Sequence, residues 1–104
     1  TLLQSADGVG AAVRQTGKDH IASLTQTGNG SSAVLDQSGS GHEATLIQSA
    51  TGSFASITQW GECNEAELTQ SGSSNWAAIA QGGSNNLAEL TQAGSGNVAS
   101  ITQY

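Results

Sequence analysis

The chain has 104 residues, enough for one domain, with 14 Gly, no Pro, one Cys and a net charge of −6. Leu, Ile, Val and Phe fill only 18 positions, below the ~20% at which an ordinary globular core becomes hard to build. Two cations in all argue against a nucleic-acid backbone or an anionic membrane surface as partner; no apolar run approaches the ~18 residues of a spanning helix, and one cysteine makes no internal disulfide.

In chain order the sequence divides into ten units on an eleven-residue period, the terminal ones partial, each ending its apolar part on a glutamine. The first unit holds Leu2 and Gln4, with Ala6 where later units have glycine. The second runs Ala11, Val13, Gln15 and Gly17; the third Ala22, Leu24, Gln26 and Gly28; the fourth Ala33, Leu35, Gln37 and Gly39. The fifth, Ala44, Leu46 and Gln48, is followed by Ala50. Then come Ala55, Ile57, Gln59 and Gly61; Ala66, Leu68, Gln70 and Gly72; Ala77, Ile79, Gln81 and Gly83; Ala88, Leu90, Gln92 and Gly94. The last unit is Ala99, Ile101 and Gln103. The chain opens inside a repeat, as a processed product or the ordered part of a longer chain does.

Within each unit, alanine, aliphatic and glutamine alternate with period two, which puts them on one face of a short strand. On a helix the same three would spread around the circumference at about 100° per residue. The Gly/Ser-rich gaps supply the bends, so Gly17, Gly28, Gly39, Gly61, Gly72, Gly83 and Gly94 are expected at turns. The outward residues fix the rung length. Glu43, Glu65, Glu67 and Glu89 fall in alternate units, while Phe54, Trp76 and Val98 fall in the others. Two faces of different chemistry imply 22 residues per rung. The expected fold is therefore all-β: a flat two-sheet solenoid of about five rungs, one domain over residues 1–104. Stacked roughly 4.7–4.8 Å apart, the inward glutamines bond to one another along the axis, the cross-β arrangement.

One rung buries two large aliphatics, worth roughly 3–6 kcal/mol, against about 1–2 kcal/mol per residue to order it. Stacking must supply the rest. Neither end carries a polar cap, and the last unit is a full strand. Leu90, Gln92, Ile101 and Gln103 at one end are thus expected to meet Leu2, Gln4, Val13 and Gln15 of the next molecule, a head-to-tail contact that does not close.

The pattern A-x-Φ-x-Q-x-G-x-x-N-x-A resembles the curlin repeat of bacterial curli fibres; Ala66 to Ala77 shows it in full. The resemblance runs from Leu2 to Gln103. It implies an extracellular functional amyloid at the bacterial cell surface that polymerises with itself to scaffold biofilm and adhesion. It also implies a nucleating minor subunit and a dedicated secretion machinery as partners, with a targeting segment ahead of the repeats. The acidic balance and intact last unit favour the major, polymer-forming type. Asn64, Asn75, Asn86 and Asn97 keep the asparagine column, whereas earlier units have Val9, His20, Ser31, His42 and Ser53.

The remaining features carry less. The stacked glutamate pairs Glu43/Glu65 and Glu67/Glu89 cost about 1 kcal/mol per pair in water; they read first as a solvated face that keeps fibres soluble and apart, or else as a gatekeeper or cation-binding strip, with faster assembly expected at pH about 4 than about 8. Phe54, Trp76 and Val98 form an apolar stripe: a lateral contact between fibrils, an adhesive surface, or partly exposed apolar residues with no partner. His20 and His42 are expected to fill the asparagine role rather than hold a metal. Cys63 sits in a turn, and Arg14 and Asp36 stack as a surface pair worth ~0–1 kcal/mol. No nucleophile, base and acid are spaced for catalysis, and no cofactor is implied. The competing reading is a monomeric module binding ice or glycan through Thr25, Thr69 and Thr91, a row that Ile47 interrupts.

Overall fold

A computed structural model describes residues 2–4 and 10–104. The side chains of Leu2 and Gln4, together with Ala6 and Val9 and the side chain of Ala50, lie outside the described residues.

Ten strands follow one another: β1 (Leu2–Gln4), β2 (Gly10–Lys18), β3 (Ile21–Gln26), β4 (Ser32–Ser40), β5 (Glu43–Thr51), β6 (Phe54–Glu62), β7 (Glu65–Ser73), β8 (Trp76–Gln81), β9 (Leu87–Ser95) and β10 (Val98–Gln103). Successive strands alternate between two five-stranded sheets, ordered β1-β3-β5-β7-β9 and β10-β8-β6-β4-β2. All pairings are parallel and fall 22 residues apart, as in Gln48↔Gln70 and Gln59↔Gln81. The fold is a two-sheet β-solenoid. Its turn count is about four rather than five, because five strand layers are separated by four steps, from β1 through β3, β5 and β7 to β9.

The two sheets enclose a core made of the repeat's own columns. Leu24, Leu35, Leu46, Ile57, Leu68 and Ile79 are sealed from water, with Ala33, Ala44, Ala55, Ala66, Ala77 and Ala88 between them. Alternating alanine and aliphatic side chains suit the narrow spacing of facing sheets, about 10 Å. Among the described residues no buried side-chain nitrogen or oxygen lacks a partner.

The glycines two places after each glutamine sit just ahead of the bends. Gly17, Gly39, Gly61, Gly72 and Gly94 lie inside strands, at φ between 105° and 123°. Gly83 lies between strands at φ 91°, and Gly28 is buried between strands. The reason for glycine is close stacking as well as φ: a Cβ on Gly39 would overlap the carbonyl oxygen of Gly61. The apex of one bend is the left-handed column Asp19, Gly41, Cys63 and Asn85, with φ from 53° to 65°. On the other side it is Gly30, Gly52, Ser74 and Gly96. Asp and Asn tolerate that region best among non-glycine residues.

Candidate functional site

Two glutamine ladders run the length of the interior. In one sheet Gln26, Gln48 and Gln70 each donate Nε2–H to Oε1 of the glutamine 22 residues on, ending at Gln92, at 2.7, 2.7 and 2.8 Å. In the other, Gln15, Gln37, Gln59 and Gln81 do the same, ending at Gln103, at 2.9, 2.8, 2.8 and 2.9 Å. The second amide proton crosses to the other sheet. Gln48 donates to the carbonyl of Ser32 and Gln59 to that of Glu43, each at 3.2 Å. Gln26, Gln37, Gln70 and Gln92 make the equivalent bond to Gly10, Ile21, Phe54 and Trp76. A carbonyl can only accept, so this bond fixes which end of these six amides is nitrogen, and the axial bonds carry the same polarity along each ladder. The period in the sequence points to the axial bonds; nothing in it signals the bond between sheets.

A second polar column closes the bends. Asn64 and Asn75 are buried and donate Nδ2–H to the carbonyls of Trp60 and Ser71, four residues back, at 2.9 and 2.8 Å. Their Oδ1 atoms accept the backbone N–H of Asn86 and Asn97 at 3.0 and 3.1 Å. His42, also buried, reproduces both bonds. Its Nε2 faces the Ser38 carbonyl at 2.9 Å and its Nδ1 accepts from the Asn64 N–H at 3.2 Å. Only the neutral tautomer with the proton on Nε2 satisfies both. His20 repeats the arrangement with Thr16 and His42, and the two rings stack at 5.1 Å. Ser31 and Ser53 make the axial bond, their hydroxyl oxygens accepting from the N–H of Ser53 and of Asn75. The signal for this column is a side chain able to accept, five residues after each glutamine from Gln15 to Gln92.

Burial decays towards the ends. β2 is exposed along nearly its whole length, with Val13 at 40%. In β9, Leu90 and Gln92 each retain 6%, and in β10 Ile101 and Gln103 are half-buried. Among the described residues, the strands at the two ends, β1 with β2 and β9 with β10, pair on one side only. Leu90, Gln92, Ile101 and Gln103 therefore come together on one open end and Val13 and Gln15 on the other.

On the outer faces, Glu43 is beside Glu65 and Glu67 beside Glu89 in the same sheet, all exposed. Thr25, Ile47, Thr69 and Thr91 form one row next to them. Phe54, Trp76 and Val98 share a row on the opposite sheet, as do Arg14 and Asp36. Cys63 is exposed. Among the described residues no three His, Cys, Asp or Glu side chains gather that could hold a metal.

The family model of the curlin associated repeat matches residues 28–61, 61–94 and 83–104. The chain belongs to the curlin family. No curated protein matches it. Curlins are structural fibre components, and the repeats and β-solenoid of this curlin chain fit a curli-type structural subunit.

Proposed function

We propose that this curlin is the major, non-enzymatic subunit of an extracellular amyloid fibre that grows head to tail and scaffolds biofilm and adhesion. The observation that carries the reading is the pair of open ends. The polar ladder that runs through the interior reaches Gln92 and Gln103 with its donors pointing onward, since every preceding glutamine from Gln15 on donates in that direction. A glutamine amide has two N–H groups, and Gln92 spends one on the Trp76 carbonyl. At the other end the acceptor Oε1 of Gln15 leads the column. In register, Gln92 meets Gln4 of the next molecule and Gln103 meets Gln15, while Leu90 and Ile101 cover Leu2 and Val13. The end strands gain a parallel partner and the half-buried aliphatics lose their contact with water. Natural sheets normally protect such edges; unprotected edges in register at both ends make a filament.

A minor curlin that nucleates growth and a secretion machinery complete the proposed set of partners, with the bacterial cell surface as the location. The test is fibre diffraction with electron microscopy on the purified chain, unseeded in dilute buffer. Filaments with an axial repeat of about 4.7–4.8 Å are expected. A chain that stays a compact monomer for days overturns the proposal.

A further inference from the structure

The two outer faces of the solenoid differ in charge. The β1-β3-β5-β7-β9 sheet turns four exposed glutamates outward, Glu43, Glu65, Glu67 and Glu89. The β2-β4-β6-β8-β10 sheet carries the chain's only two cations, Arg14 and Lys18. Asp36 lies beside Arg14 in register, and Glu62 shares the column of Lys18 through Ser40. That face is therefore neutral, and it is also where the aromatic residues gather. Phe54 and Trp76 stack with ring centroids 6.2 Å apart and planes 12° apart, and Val98 continues their row. Six residues along the strands, roughly 20 Å away, Trp60 leans across the next rung. A Cβ on Gly82 would overlap its indole, and the ring reaches Tyr104 at 6.0 Å. Between the two aromatic rows the floor is short: Ser56 over Ala78 and Thr58 over Ala80.

We propose that this face is the lateral contact between two filaments of this chain, the aromatic row of each seated over the short floor of the other. The proposal rests on the head-to-tail fibre reading above. Charge selects the pairing. Two acidic sheets repel, and an acidic sheet laid on the neutral one would desolvate four carboxylates against two cations. Two neutral faces bury Trp60, at 37% exposure, and Trp76, at 41%, with no uncompensated charge between them. Ring geometry disfavours a saccharide as occupant: the faces of Phe54 and Trp76 are turned to each other, and only edges point outward. Area sets the conditions. A face of 33 × 22 Å offers about 700 Å², just short of the ~800 Å² per partner of a stable interface. Single subunits therefore pair weakly, whereas a filament sums the contact along its length.

The test is the mass per unit length of unstained filaments by scanning transmission electron microscopy. Wild-type filaments are expected to hold two 10.4-kDa subunits per axial rise of about 24 Å, five layers of ~4.8 Å. Ala78→Glu, on the floor of the neutral face, halves that value, while Thr69→Glu on the acidic sheet leaves it unchanged. Wild-type filaments of single mass, or a halving by Thr69→Glu and not by Ala78→Glu, overturn the lateral contact and leave the fibre standing. Absence of any wild-type filament overturns both. Where Ala78→Glu does not assemble, acrylamide quenching decides on wild-type filaments. Both tryptophans lie on this face, so quenching is expected to fall several-fold on assembly; quenching equal to that of the free subunit overturns the contact.

Discussion

Ile57 and Val13 occupy one column of one sheet, two steps apart, through Leu35. Ile57 is sealed from solvent and Val13 is 40% exposed. Their strands, β6 and β2, have the same length and the same alternation. What separates them is a covering layer: β6 lies between β4 and β8, whereas β2 pairs only with β4. In a solenoid, burial is thus a property of stacking rather than of the residue, and an end strand is a core strand awaiting a neighbour. The same contrast runs through the polar column, where Gln59 has partners above, below and across and Gln103 receives a single bond from Gln81.

The largest effect expected is on the apolar column. Ile57→Ala should cost about 2–5 kcal/mol, and Val13→Ala under about 1 kcal/mol in the free subunit, read from denaturant midpoints. In the fibre the two costs should converge, because the next molecule covers Val13. Equal costs in the free subunit would mean that something already covers β2. Next comes the glutamine ladder. Gln59→Ala strands the Gln37 Nε2–H and the Oε1 of Gln81, at about 1–3 kcal/mol for each buried group left unmet; Gln103→Ala should lower subunit stability far less while slowing elongation. If Gln103→Ala filaments elongate at the wild-type rate, the ladder does not continue across subunits.

Glycine substitutions sharpen the comparison at the bends. Gly39→Ala places a Cβ against the Gly61 carbonyl, whereas Gly30→Ala, at φ 67°, meets nothing within 4 Å. The second should cost only the left-handed penalty of about 1–2 kcal/mol, and the first distinctly more, by thermal melting. The smallest effect belongs to His42→Asn. It keeps both bonds of the bend, so stability at neutral pH should change by less than about 1 kcal/mol, while His42→Leu, which makes neither, should cost more. Similar melting temperatures for the two variants would show that the bend does not depend on them.

Much of this was legible in the residues. The eleven-residue period places alanine, aliphatic and glutamine on one face, and the alternation of Glu43, Glu65, Glu67 and Glu89 with Phe54, Trp76 and Val98 sets a 22-residue step, the register of both sheets. The bends were less legible. The recurring glycines stand ahead of the apex, and the apex itself takes Asp19, Gly41, Cys63 or Asn85, residues with no shared side-chain chemistry. What they share is a backbone angle, which a residue name does not specify. His42 in an asparagine column looks like a departure in letters, although its two ring nitrogens stand where the asparagine nitrogen and oxygen stand.

The sequence by itself determined which side chains face inward and which residue lies over which, because a strict period leaves one register that turns the repeat's own aliphatic column inward. Tertiary structure decided the rest. The bonds that Gln26, Gln37, Gln48, Gln59, Gln70 and Gln92 send to the opposite sheet join residues 16 apart, which no repeat column connects. They depend on how far apart the two sheets stand and how the chain turns between them, quantities fixed only when all layers are stacked.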